Sequence, residues 1–226
     1  MIWLNFNGVN RRAEVYLNGT LLGKLDGFMH RGHFNVTSIV NRDKENVLAV
    51  LVHMPDTPLA NQGSPTYLSS GGWDWMPYVP GLNSGITDKV FLTNTGTATL
   101  IDPWIRTNLP TRARADLSVA LDVKNNSVEK TKVLVRGTIT PGNIVFQKEL
   151  DVNAHTTEQV KFDKRYFPQL CIDQPRLWWP NGYGEPNLYH CKFEVMVDGR
   201  VSETKDVSFG IKKYSYDKEG NTFHIY

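Results

Sequence analysis

The 226-residue chain is short of several things, and each shortage excludes a class of function. Its longest aliphatic run, Val47 to Val52, falls far below the roughly 20 apolar residues a membrane-spanning helix needs. Charge is nearly balanced, with 25 Lys+Arg against 23 Asp+Glu and a net +2. That leaves no electrostatic footprint for nucleic acid or an anionic membrane. The densest basic stretch, Arg106 to Arg114, is broken by Pro110 and reads as a solvated loop rim. Cysteine is nearly absent: Cys171 and Cys191 lack metal-ligand spacing and read as free thiols rather than a disulfide. Cys191 falls on the apolar face of a strand, where a thiol behaves as a small hydrophobe. Met1-Ile2-Trp3-Leu4 has neither the basic leader nor the apolar run of a signal peptide. No long segment shows helical period with caps. His30 and His33 stand three apart, but no Cys or carboxylate cluster completes a metal set, so His30-Arg31-Gly32 reads as a turn. Gly81 to Gly85 is too isolated to cradle a phosphate, and no cofactor is implied. Asn18-Gly-Thr, Asn35-Val-Thr and Asn125-Asn-Ser match a glycosylation pattern that has meaning only in a eukaryotic secretory setting.

What the chain has is alternation. Leu117, Val119, Leu121 and Val123 share one face, with Asp116, Ser118, Ala120 and Asp122 on the other. Tyr189, Cys191, Phe193, Val195 and Val197 repeat the pattern, as do Val207, Phe209 and Ile211. This is the mark of antiparallel strands with one buried face. Leu48 to Val52 is apolar on both faces and is expected to be a central strand. Asn18-Gly19, Pro141-Gly142-Asn143 and Asp198-Gly199 sit between such runs and predict hairpins. Many short strands at regular spacing predict an all-β chain of sandwiches.

At roughly 100–150 residues per domain, the length suggests two domains. The break is expected near residue 100, where Pro103 should interrupt any ladder. The first block contains a long irregular loop, Pro55 to Gly85. The second is a cleaner series of about seven strands, as in an immunoglobulin-like sandwich. The last residues begin a hairpin around Glu219-Gly220-Asn221 and stop in mid-element, which reads as a piece of a longer protein.

Within the long loop, GGWDWMPYVPG at 71–81 places Asp74 between Trp73 and Trp75. A carboxylate can accept charge-assisted hydrogen bonds from two adjacent sugar hydroxyls. An indole offers a flat apolar face to a pyranose and an N–H to its oxygens. Neighbours in an extended loop point to opposite sides, so one tryptophan at most faces the sugar together with Asp74.

LNFNGVNRRAEVYLNGTLLGKLDGF, HFNVTSIV, NVLAVLV and GGWDWMPYVPGLNSGITDKVFL resemble, in order, the sugar-binding jelly roll of glycoside hydrolase family 2. LWWPNGYGEPNLY and VSFGIKKY resemble late strands of the immunoglobulin-like domain that follows it. The WDW and LWWPNGYGEPNLY forms point to the β-mannosidase and exo-β-glucosaminidase branch. The resemblance implies a galactose-binding-like, jelly-roll-like sandwich at 1–98 that lacks its N-terminal strands. An immunoglobulin-like sandwich at 99–212 and the start of the catalytic barrel at 213–226 would follow. It implies hydrolysis of terminal β-linked sugars with retention, by two barrel glutamates ~5–5.5 Å apart. The family's acid/base follows an Asn, and this chain holds no Asn-Glu pair, so no catalytic residue is assigned and the chain alone is expected to be inactive. Asp74, with Trp73 and Trp75, would bind substrate in the pocket of the adjoining barrel; the alternative is that both tryptophans bury against the barrel and Asp74 caps a turn. Trp104, Trp178 and Trp179 would pack at the interface with that barrel; a second sugar platform at Trp178-Trp179 is the lesser reading.

The implied partners are carbohydrate and the chain's own barrel, with neither nucleic acid nor membrane. Self-association through the incomplete first domain is expected, because new sheet edges and uncovered apolar faces find partners. A free-standing carbohydrate-binding module on an immunoglobulin-like stalk, or a structural or adhesive sandwich, are the competing readings. The residues do not name the sugar or the compartment, although a polysaccharide-degrading parent implies a periplasmic or secreted one.

Overall fold

The computed structural model describes residues 1–10, 12–27, 30–53, 84–216 and 223–225. These residues are built from strands, with one short 3₁₀ turn at Pro168–Leu170. They divide into two compact units, Met1–Thr95 and Gly96–Tyr226.

In unit 1 the strands are β1 (Ile2–Phe6), β2 (Val9–Asn10), β3 (Arg12–Leu17), β4 (Thr20–Asp26), β5 (Gly32–Asn35), β6 (Leu48–His53), β7 (Gly85–Ile86) and β8 (Val90–Asn94). They form two three-stranded antiparallel sheets, β5-β1-β8 and β4-β3-β6, and a short β2-β7 pair. The predicted hairpin at Asn18-Gly19 joins β3 to β4. Both residues have positive φ, 51° and 81°, the geometry that matches the twist of the flanking strands. Alternation gives each sheet an inner face, with Leu4 and Phe6 from one and Ala13, Val15 and Leu17 from the other, all buried.

One expectation fails here. β6 is apolar on both faces, yet among the described residues it pairs only with β3 and lies at a sheet edge. Two-sided hydrophobicity reports that a strand seeks cover on both faces, and it does not reveal where that cover comes from.

In unit 2 the strands are β9 (Ala98–Thr111), β10 (Arg114–Asn125), β11 (Thr131–Thr140), β12 (Ile144–Val152), β13 (Thr157–Asp163), β14 (Cys171–Asp173), β15 (Tyr189–Val197) and β16 (Arg200–Phe209). The order β12-β11-β15-β16 makes one sheet, and β10 with β9, β13 and β14 makes the other. Leu117, Val119, Leu121 and Val123 of β10 are all buried, as their alternation predicts. Phe162 of β13 meets Phe146 of β12 edge-on across the sandwich, with ring centroids 4.8 Å apart. The hairpin turns at Gly142-Asn143 and Asp198-Gly199 again carry positive φ. β9 runs through Pro103 as one strand. The chain absorbs the missing donor by a register shift against β10, with Asp102 at φ 44°. Cys171 and Cys191 are free thiols, and burial pushes that of Cys191 up to about 12. A last hairpin pairs β17 (Tyr214–Tyr216) with β18 (Phe223–Ile225).

The start of unit 2 is pinned to β16. Ser202 Oγ accepts from Ala98 N–H and donates to Ala98 O, and Gly96 N–H donates to Ser202 O at 2.7 Å. A Cβ on Gly96 would meet Ser202 Oγ at 2.5 Å, so glycine permits this approach. Next to the pin, Glu203 accepts from Leu100 N–H, and burial raises its carboxyl above the usual range.

Two outcomes follow. Gly137 lies opposite Phe146, and a Cβ there would come within 2.2 Å of the ring. Gly137→Ala should therefore destabilise unit 2 by about 1–3 kcal/mol, measured by denaturant unfolding. For Glu203 the folded state holds the proton more tightly than the unfolded state. Its contribution to stability is full below the unfolded carboxyl range and is lost as pH rises through the raised folded value. Glu203→Gln keeps an acceptor for Leu100 N–H without the charge. Its unfolding free energy should exceed that of the parent chain at pH 7, with the difference shrinking as the pH falls through the carboxyl range.

Candidate functional site

Trp73, Asp74 and Trp75, the proposed sugar contacts, lie outside the described residues. The structure does describe the two roots of their segment. One is His53, the end of β6, paired with Arg12 of β3. The other is β7, where Gly85 and Ile86 pair with Asn10 and Val9 of β2. Val9 and Asn10 are both buried, so this root rests on the core of unit 1.

Beside the first root, the outer face of the β4-β3-β6 sheet carries a polar network. Lys24 pairs with Glu14 Oε1 at 2.8 Å, Tyr16 Oη donates to Glu14 Oε2 at 2.6 Å, and His53 Nε2 stands 3.9 Å from Glu14 Oε1. The hydrogen bond from Lys24, then that from Tyr16, holds the Glu14 carboxyl below its ordinary range. The Tyr16 hydroxyl is raised by the same bond to Glu14. A carboxylate held as an anion by neighbours in this way is suited to positioning a polar group and poorly suited to donating a proton. Arg12 and Asp26 extend the network along the strand pair. The single-strand alternation did not signal this cluster, because its members come from three strands.

The two histidines are employed elsewhere. The His33 ring stacks on Trp3 with centroids 4.3 Å apart, and its Nδ1 bonds Asn5 Oδ1 at 2.6 Å. His30 Nδ1 accepts from Asp26 N–H. No group of His, Cys, Asp and Glu among the described residues is arranged to hold a metal ion.

The three tryptophans assigned to a barrel interface fall on separate parts of unit 2. Trp104 stands on β9 opposite Ala120 of β10 and is 59% exposed, with the Arg106 guanidinium 4.8 Å from its ring centroid. Trp178 and Trp179 are half-buried in the segment between β14 and β15. Trp178 N–H donates to Ile211 O at 2.9 Å, and Trp179 N–H to Glu185 O at 3.1 Å. Their rings press on glycine backbone: a Cβ would lie 2.8 Å from Trp178 at Gly210, and 2.8 Å from Trp179 at Gly184. Lys212 completes the seat, its ammonium 4.0 Å from the Trp178 ring centroid and 5.0 Å from that of Tyr214. Sequence reasoning did not single out Lys212; a lysine just after Phe209-Gly210-Ile211 was the available signal. Trp178 and Trp179 thus pack within their own unit, and Trp104 is the member of the set that presents its ring to solvent.

Residues 98–212 match the model of glycosyl hydrolases family 2, and residues 1–88 match its galactose-binding domain-like model. The chain belongs to glycosyl hydrolase family 2. It is 33% identical over 215 residues to an exo-β-D-glucosaminidase of Streptomyces avermitilis, covering 93% of this chain and 23% of that protein. It is 30% identical over 234 residues to a mannosylglycoprotein endo-β-mannosidase of Lilium longiflorum, with 93% and 24% covered. Among solved structures, an exo-chitosanase of Amycolatopsis orientalis in complex with PNP-β-D-glucosamine superposes with a TM-score of 0.81 at 25% identity, covering 99% of this chain and 25% of that one. The chain spans about a quarter of the length of the curated relatives it matches. The matched regions are the non-catalytic, galactose-binding-like and immunoglobulin-like domains of family 2 β-glycosidases.

The Lys212 seat gives a measurable outcome. Lys212→Ala should cost about 0.5–1 kcal/mol of unit 2 stability and change the emission or quenching of Trp178 fluorescence. An unchanged spectrum and melt would show that the ammonium does not hold the ring.

Proposed function

We propose that this chain is the accessory portion of a retaining exo-β-glycosidase, supplying one wall of the sugar pocket through Asp74 and bracing the catalytic barrel. The observation that carries this reading is the order of the matches: both domains align in sequence with the exo-β-D-glucosaminidase relative over 93% of this chain. In that reading the chemistry comes from barrel glutamates, and the substrate is a terminal β-linked sugar. Asp74 contributes charge-assisted hydrogen bonds to adjacent hydroxyls, with one of Trp73 and Trp75 lending an apolar face. Support for a tethered role comes from the two roots of the segment, His53 and β7, each paired within unit 1. Trp104, exposed on β9, is suited to lie against a protein surface, and Trp178 and Trp179 pack against Gly210 and Gly184 within unit 2.

The test has two arms. The 226-residue chain alone, incubated with aryl β-glucosaminide, β-mannoside and β-galactoside, should show no turnover above a denatured control. In the complete polypeptide that contains it, Asp74→Asn should lower kcat/KM by about 10²-fold, the scale of one lost charge-assisted contact in the transition state. Turnover by the chain alone, or an unaffected Asp74→Asn enzyme, would overturn the reading. Tight sugar binding by the isolated chain would instead favour a free-standing binding module.

A further inference from the structure

We infer that Lys148 of β12 and Glu158 of β13 are edge guards: they keep the outer edges of the two unit 2 sheets from pairing with a strand of a second copy of this chain. This goes beyond the glycosidase reading and does not depend on it. The two sheets of unit 2 meet along two sides. On one side β16 and β9 are joined, by the Ser202 clamp on Ala98 and by the bond from Leu100 N–H to Glu203. On the other side, one sheet ends at β12 and the other at β13. Among the described residues, β12 forms a ladder only with β11, and β13 only with β10. Each thus presents a row of backbone donors and acceptors along its second edge, the usual template for adding another chain.

Both strands carry a charge where alternation calls for an apolar residue. Lys148 stands opposite Val135 of β11, and Glu158 opposite Val123 of β10. Cross-strand partners share a face, and Val135 and Val123 are fully buried. Lys148 and Glu158 therefore occupy inner-face positions. The same face of β12 buries Phe146 and Val152, and that of β13 buries Val160 and Phe162. Lys148 and Glu158 are nonetheless exposed. A long side chain rooted on an inner face reaches water by passing round the edge of its sheet. The outward charges beside Lys148 are paired, Glu149 with Lys132 at 2.6 Å and Asp151 with Lys130 at 2.9 Å.

The consequence is a cost on docking. A strand added beyond β12 would close the route of the Lys148 ammonium and trap it beside Val135. A strand added beyond β13 would do the same to the Glu158 carboxylate beside Val123. Burying an unpaired charge costs several times what one backbone hydrogen bond returns. On a two-fold axis, β12 would meet β12 and β13 would meet β13, so each guard would also approach its own like.

The experiment is sedimentation of the 226-residue chain from low to high micromolar concentration, in three forms. These are the parent, the double variant Lys148→Val with Glu158→Val, and the double variant Glu149→Val with Lys161→Val. The last removes one Glu and one Lys from the outer faces of the same two strands, opposite Leu134 and Ala120. Loss of the guards should tighten self-association about tenfold or more over the parent. Hydrogen–deuterium exchange should then show new protection in peptides covering β12 and β13. Each single valine variant should show the effect at its own edge, which keeps the test open if the double variant folds poorly. The outward control should associate as the parent does. So should the exchanged pair Lys148→Glu with Glu158→Lys, because a charge of either sign guards an edge. Guard-free variants that associate no more than the parent would overturn the inference. So would new protection outside β12 and β13, or an outward control or exchanged pair that associates as strongly as the guard-free protein.

Discussion

Alternation is the constraint on which the rest of this molecule depends. A strand with apolar residues at every second position must have that face covered, and the two units meet the demand differently. In unit 2 the demand is met internally. β10 sends Leu117, Val119, Leu121 and Val123 inward, and Phe162 closes on Phe146 across the sandwich, with Phe193 at 6.2 Å from the same ring. In unit 1, among the described residues, Leu48 and Leu92 face inward beside the buried Leu17 and Leu4 and are still reached by solvent.

That difference bears on what each unit can do. Unit 2 has its buried polar groups committed: Asn125 donates to Glu129 O and Val152 O, and Ser202 clamps both backbone groups of Ala98. In this satisfied sandwich Trp178 and Trp179 are seated against Gly210 and Gly184, while Trp104 stands exposed on β9. Unit 1 gives the segment carrying Asp74 two paired roots, at His53 and at β7.

Much of this was legible in the sequence because hairpin turns and alternation are local. Asn18-Gly19 and Asp198-Gly199 turned where their backbone freedom required, and Leu117 to Val123 lay on one face as their spacing dictates. The family likeness was also visible in ordered segments spread along the chain. What local pattern could not supply was strand order. Hydrophobicity on both faces of Leu48 to Val52 suggested a central strand, and among the described residues it lies at an edge. Pro103 suggested an interrupted ladder, and the register shift of β9 against β10 falls there, although the strand continues through it. The Lys212 seat and the Glu14 network were hidden for a related reason, since each gathers residues from several elements. The proposed role of Asp74 rests on resemblance, and Trp73 to Trp75 lie outside the described residues.

The central claim is that alternation closes unit 2 into a sandwich whose buried polar groups are committed. Hydrogen–deuterium exchange with peptide-level mass spectrometry on the 226-residue chain tests it most directly. The account predicts slow exchange throughout β10, β11 and β15. Exchange in those strands as fast as in an unfolded chain would contradict it, because the sandwich would then be open.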